Sequence, residues 1–228
     1  VIEEEDVIIT LTHFGYIKRT SESEYRAQKR GGKGIAALTT REEDFVEDIY
    51  ITSTHDKIYF FTSYGKVFAK RAFEIPEGSR TARGTAVINL LDLEKGETIN
   101  SIVPISKGSD SKYFMFITKN GLVKRTEINL FENIRSSGII AIGLRDGDEL
   151  VAVRQTTGDM NAIIVSEDGQ AIRFDEDTIR PSGRTAMGVI AMRLDKGDAV
   201  IGMEVGIKDA EDIYLLTISE NGFGKRTL

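Results

Sequence analysis

Short apolar runs rich in β-branched and aromatic residues recur along the chain, each closed by a polar turn and a glycine. Ile8 to Thr12 precedes Gly15, Ile58 to Thr62 precedes Gly65, and Phe114 to Thr118 precedes Gly121. Ala162 to Ser166 precedes Gly169, and Tyr214 to Ile218 precedes Gly222. A second run follows each glycine and carries basic residues: Lys18-Arg19, Lys70-Arg71, Lys124-Arg125, Arg173 alone, and Lys225-Arg226. Tyr64-Gly65, Asn120-Gly121 and Asp168-Gly169 have hairpin-turn chemistry, because glycine tolerates positive φ. No long window shows helical periodicity, so the pattern predicts β-hairpins.

A second glycine follows in each complete copy, at Gly34, Gly84, Gly138 and Gly188. The gaps from first to second glycine are 19, 19, 17 and 19 residues, and the first glycines repeat at 50, 56, 48 and 53 residues. Another apolar run, a turn such as Asp146-Gly147-Asp148, and a fourth run close each unit. Each unit therefore reads as four short strands. Repetition of such units predicts an all-β, propeller-like array of four-stranded blades, since a two-sheet sandwich has no reason to keep the glycine spacing. The expected organisation is a single domain, 1–228, with repeats at about 7–55, 56–110, 111–159 and 160–210 and part of a fifth at 211–228.

Composition narrows the chemistry. The chain has no cysteine, which excludes disulfides and thiolate sites. Its two histidines, His13 and His55, each stand apart from any second histidine or paired carboxylate at ligand spacing, so neither a metal nor a catalytic role is expected. No stretch reaches the ~20 apolar residues of a membrane helix, and no membrane partner is expected.

Net charge is −6, which alone disfavours a nucleic-acid partner. Its distribution reverses that reading. The four segments between paired glycines carry +4, +3, +1 and 0, leaving −14 on the remainder. Equivalent loops of a blade array lie on one rim, so a basic stripe there forms a track for a phosphate backbone. Tyr25 and Phe73 stand isolated in these loops, so no aromatic interleaving suggests base stacking, and the pattern better fits phosphate contact, which positions DNA without specifying sequence.

The loop Gln28-Lys29-Arg30-Gly31-Gly32-Lys33-Gly34 concentrates this chemistry. Its glycines let backbone N–H groups approach phosphate oxygens, lysine supplies a mobile charge, and arginine a planar fork. It is not a nucleotide P-loop: Ala27 stands where the first glycine is needed and Gly34 where a hydroxyl residue is needed. The heptapeptide resembles the box Gln-Arg-Arg-Gly-Gly-Lys-Gly of the C-terminal DNA-wrapping domains of DNA gyrase A subunits, with Lys29 in place of the first arginine. Gly15-Tyr16-Ile17-Lys18-Arg19-Thr20 and the later Lys-Arg-Thr copies extend the likeness over essentially the whole chain.

The resemblance implies a β-pinwheel of six blades that exchange strands, of which this sequence carries four and the first hairpin of a fifth. It implies wrapping of double-stranded DNA around the rim in support of negative supercoiling by bacterial gyrase, an ATP-dependent type II topoisomerase of the cytoplasm and nucleoid. The implied partners are the rest of the gyrase A subunit, together with the B subunit, in a heterotetramer. ATP and Mg serve other parts of that holoenzyme, the cleavage tyrosine lies outside the chain, and this domain needs no cofactor of its own. The expected DNA contacts are Gln28, Lys29, Arg30, Gly31, Gly32, Lys33 and Gly34. They are extended by Lys18, Arg19, Lys66, Lys70, Arg71, Arg80, Arg83, Lys124 and Arg125. The competing readings are the corresponding domain of topoisomerase IV, which lacks a good box, and a propeller scaffold for protein contacts. A propeller hydrolase has no convergent catalytic set to support it.

Overall fold

The computed structural model describes residues 1–25 and 44–208 and, as backbone strands only, 215–218 and 224–227. The first hairpin is β1 (Asp6–Thr12) and β2 (Tyr16–Ser21), followed by β3 (Val46–Ser53). The second repeat supplies β4 (Lys57–Thr62), β5 (Lys66–Arg71), the two-residue β6 (Thr85–Ala86), a helical turn α1 (Val87–Leu90) and β7 (Ile99–Ile105). The third supplies β8 (Tyr113–Thr118), β9 (Leu122–Glu127), β10 (Ile139–Ile140) and β11 (Leu150–Thr156). The fourth supplies β12 (Met160–Ser166), β13 (Ala171–Asp175), β14 (Val189–Ile190) and β15 (Val200–Ile207), and β16 (Leu215–Ile218) pairs with β17 (Gly224–Thr227).

The sheets are built across repeats. Their orders are β3-β1-β2-β6, β7-β4-β5-β10 and β11-β8-β9-β14, with β15-β12-β13 and the hairpin completing the series. The outer strand of each of the first three sheets therefore comes from the following repeat. Four strands per blade were expected, and four strands form each of these sheets, but through exchange. The apolar run at 86–88 departs from expectation: only Ala86 is strand, and Val87 starts the helical turn. The four sheets are the blades of a propeller.

The apolar runs are continuous because each central strand is buried on both faces. In β4, Ile58 and Phe60 pack toward the first sheet with Ile9, Ile17 and Phe68. Its alternate residues Tyr59 and Phe61 pack toward the third sheet with Phe114, Phe116 and Phe131. In β8, Met115 and Ile117 turn the other way, onto Ala162, Ile164 and Met203 of the fourth. The period of two thus places one core between each pair of neighbouring blades. Edge-to-face rings join Phe61 to Phe114 at 5.0 Å and to Phe116 at 5.4 Å.

The paired glycines are docking points of the exchange. Gly121, at φ +87°, accepts the N–H of Ala191 at 2.9 Å through its carbonyl, and a Cβ there would lie 2.5 Å from the Met192 carbonyl oxygen. Gly188, at φ +92°, sits where a Cβ would come within 2.5 Å of the Val123 carbonyl oxygen on β9. Gly15, Gly65 and Gly121 receive the next repeat, and Gly84, Gly138 and Gly188 dock on the previous one. The regular spacing measures that reach.

Candidate nucleic-acid interface

The segment between paired glycines runs along the outer strand of the preceding blade. Arg19 N–H donates to the Pro76 carbonyl at 3.0 Å, and Gly78 N–H donates to the Arg19 carbonyl at 3.0 Å. The same contact recurs one blade pair later, where Ser182 N–H donates to the Arg125 carbonyl at 2.9 Å. These loops thus lie on the outer edge of the array, with their backbone fixed by strand-like pairing.

The cations that sequence placed on the track divide into two groups. Lys66, Lys70, Arg71, Arg80 and Arg83 reach the surface. Lys66 pairs with Glu94 at 2.8 Å, and this charged hydrogen bond holds its ammonium above the usual lysine range. Arg71 is exposed and donates to the His55 carbonyl at 3.1 Å. Arg80 donates to the Glu24 carbonyl at 2.7 Å and lies over the Tyr25 ring. Arg83 stacks on Tyr16 with its guanidinium carbon 3.6 Å from the ring centroid, a planar contact that orients the fork. Lys70 is half-buried and makes no ion pair among the described residues.

The second group is a correction. Lys18 and Lys124 are each only 1% exposed. Lys18 Nζ donates to the carbonyls of Ser79 (2.9 Å), Arg80 (2.7 Å) and Ala82 (3.0 Å) in the next repeat's loop. Lys124 Nζ donates to the carbonyls of Ala141 (2.6 Å), Gly183 (3.0 Å) and Arg184 (3.0 Å). An ammonium has three donors and each lysine spends three on carbonyls, so neither presents charge to a phosphate. Burial lowers the pKa of both, that of Lys124 to about 7 with repulsion from Arg184 adding to the effect.

Arg125 is buried as well. It donates through Nε to the Ile179 carbonyl at 2.5 Å, pairs through Nη1 with the fully buried Glu176 at 3.2 Å, and faces the Tyr113 ring. Arg19 is half-buried, its Nε donating to the Ile75 carbonyl at 3.1 Å. The glycine-rich box at 28–34 lies outside the described residues. Sequence reasoning passed over Arg184, the repeat equivalent of Arg80. The signal was available: Arg-Thr-Ala stands at 80–82 and again at 184–186, each four residues before the second glycine.

Burial reshapes the charge of the loops. In the third, Lys124 and Arg125 turn inward, leaving Arg135 outside against the exposed Glu127 and Glu132. In the fourth, Glu176 turns inward onto Arg125, so Arg173, Arg180 and Arg184 outnumber Asp175 and Asp177 at the surface.

Exchanged strands, blade-to-blade cores and cation-bearing loops along the outer edge define a strand-exchanged β-propeller with a basic rim. The chain belongs to the family described as DNA gyrase C-terminal domain, beta-propeller, which it matches over residues 6–53, 56–106, 112–157, 161–206 and 214–228. It is 51% identical over 189 residues to the DNA gyrase A subunit of Clostridium acetobutylicum, covering 83% of this chain and 23% of that protein. It is 44% identical over 228 residues to the DNA gyrase A subunit of Staphylococcus epidermidis, covering 100% of this chain and 25% of that protein. The chain thus spans about a quarter of the length of these relatives. Among solved structures, the C-terminal domain of DNA topoisomerase IV superposes with a TM-score of 0.80 at 28% identity, over 99% of this chain and 68% of that one. A DNA gyrase A C-terminal domain superposes with 0.74 at 30% identity, over 97% and 71%.

Proposed function

We propose that this chain binds duplex DNA along its outer rim without reading sequence, bends it, and wraps it in support of negative supercoiling by a gyrase. The observation that carries the reading is the repeated loop on the outer strand, its backbone fixed and the partly exposed Arg80, Arg83 and Arg184 recurring along it. Bending 20–30 base pairs by 40–90° costs roughly 1–6 kcal/mol, more than one loop offsets. A series of loops offsets it, because each neutralised phosphate releases counterions. The box residues 28–34 start the path, and Lys70, Arg71, Arg80 and Arg83 continue it. The grip is strongest on the first two loops, which carry most of the positive charge.

The remaining parts of a gyrase, the rest of its A subunit together with its B subunit, then supply strand cleavage and the use of ATP and Mg, in the bacterial cytoplasm. Among the described residues no helix is long and apolar enough to cross a membrane. A topoisomerase IV domain is the second reading, favoured by the higher structural overlap. The intact Arg30-Gly31-Gly32-Lys33-Gly34 core favours gyrase over it. The test is topological. Circular DNA relaxed in the presence of the chain is expected to gain linking number. No change in linking number, together with no binding at low salt, overturns the proposal in favour of a protein-contact scaffold.

A further inference from the structure

Lys18 grips three carbonyls of one turn, and Lys124 grips two carbonyls of its repeat equivalent together with that of Ala141. Ala82 N–H donates to the Ser79 carbonyl at 3.1 Å, and Ala186 N–H donates to the Gly183 carbonyl at 3.3 Å, so residues 79–82 and 183–186 form equivalent β-turns. Each has Arg-Thr at its centre and a buried lysine of the preceding blade beneath it. In a trans peptide, the carbonyl of one residue and the N–H of the next point in opposite directions. Drawing the carbonyls of Ser79, Arg80 and Ala82 inward onto Lys18 therefore turns the N–H groups of Arg80, Thr81 and Arg83 away from the core. Drawing those of Gly183 and Arg184 onto Lys124 does the same for the N–H groups of Arg184 and Thr185. None of these five N–H groups has a hydrogen-bond acceptor among the described residues.

Successive outward N–H groups at a turn form an anion-binding concavity, and here an arginine side chain stands at its edge. We propose that the turns at 79–82 and 183–186 are phosphate-binding nests, and that Lys18 and Lys124 are positioning residues that aim them. The motif lysines act on phosphate only through the backbone they hold. The proposal rests on the DNA reading for the source of the phosphate, and on the turn geometry for the site.

The junction between the second and third blades is an internal control. Phe68 stands at the lysine position there, and a Cβ on Gly138 would meet its ring at 2.9 Å. The paired-glycine gap is 17 residues in place of 19, and Arg135-Ser136-Ser137 replaces Arg-Thr-Ala. Its Ser136 and Ser137 N–H groups also lack acceptors among the described residues, but no inward ammonium holds the carbonyls that would aim them, so no nest is expected.

The test is amide NMR of the 228-residue chain titrated with sodium pyrophosphate and, separately, with a short duplex. The amides of Arg80, Thr81, Arg184 and Thr185 are expected to shift, and those of Ser136 and Ser137 to stay. Lys18→Met should abolish the response at residues 80 and 81 and spare 184 and 185. Lys124→Met should do the converse, so each variant reports that the other half remains folded. A lysine that served stability alone would lower the melting temperature and leave the amide response intact, which overturns the proposal.

A second pair of variants leaves both lysines in place. Arg80→Ala and Arg80→Pro both remove the guanidinium, but only proline, tolerated at this turn position, also removes the N–H. Proline should weaken duplex binding about tenfold more than alanine; equal affinities overturn the nest. Wrapping of DNA with silent amides defeats the nest and leaves the DNA reading standing. Amides that answer pyrophosphate in a chain that binds no duplex defeat the DNA reading and leave the nest.

Discussion

Replacing Arg125 by methionine separates a strut from a DNA contact. In sequence this residue belongs to a Lys-Arg-Thr motif on a basic rim; in the fold it is 7% exposed and joins β9 to the fourth repeat. Methionine retains much of the apolar stem but leaves Glu176 buried and charged. Three donors remain to that carboxylate: the Thr156 hydroxyl at 2.8 Å, Gly158 N–H at 3.2 Å and Met160 N–H at 2.9 Å. The Ile179 carbonyl loses its arginine donor, and the Tyr113 ring loses its cation. Breaking one side of a buried ion pair costs about 3–5 kcal/mol, and the surviving donors set the expected loss near the lower end, about 3 kcal/mol. Adding Glu176→Gln removes the stranded charge while keeping an acceptor oxygen, so the double variant should cost less than the two single changes together. Urea unfolding gives the stabilities, and a salt titration of duplex binding gives the number of phosphates contacted. For Arg125→Met the salt slope should equal that of the unaltered chain. Unchanged stability with a slope smaller by about 0.9, the share of one phosphate contact, would refute the assignment.

Four other outcomes follow from the same geometry. Burial holds the Lys124 ammonium at about 7 in the fold against its ordinary 10.5, so between these pH values the unfolded chain binds the extra proton and stability rises with pH. The stability difference between the unaltered chain and Lys124→Met should therefore climb from pH 7 toward pH 10, by at most ~1.4 kcal/mol per unit, and a flat difference would contradict the burial. Gly188→Ala, at φ +92° with a carbonyl oxygen 2.5 Å from the new methyl, should cost about 3 kcal/mol and speed amide exchange in β9. Gly147→Ala, at φ +78° with nothing within 4 Å, should cost only about 1 kcal/mol by the same urea assay. Arg83→Ala should lower the salt slope of duplex binding by about 0.9 with little change in melting temperature, whereas an unchanged slope would remove Arg83 from the track.

The fold was legible because its governing features are periodic. Strand alternation, hairpin glycines and a repeat near fifty residues are local signals, and each acts where it is written. Strand exchange is different. β6, β10 and β14 are two-residue strands, too short to show a period, and the blade they join is fixed by contacts 66 to 74 residues back in the chain. Only the paired glycines announce them, and their meaning emerges when Gly188 is seen against Val123 and Gly84 against Ile17.

Part of the expected track was misread for one physical reason. A lysine in a strand beside a polar loop looks solvated in sequence, because all but one of the carbonyl partners of Lys18 and Lys124 lie about sixty residues away and carbonyls leave no mark in side-chain composition. The position two residues beyond the first residue of β5 separates the two cases: Phe68 fills there the space that Lys18 and Lys124 fill at the other junctions. A site that accepts either a phenylalanine or an ammonium on three carbonyls is an interior site, and its charge cannot be counted toward the rim. Correcting the count does more than subtract. It removes Lys18 from the first loop, two cations from the third and one carboxylate from the fourth. Among the described residues, the second loop stays basic, the third turns acidic and the fourth becomes weakly basic. On the proposed DNA path, Arg184 of the fourth loop repeats the turn position of Arg80, one blade beyond the acidic loop.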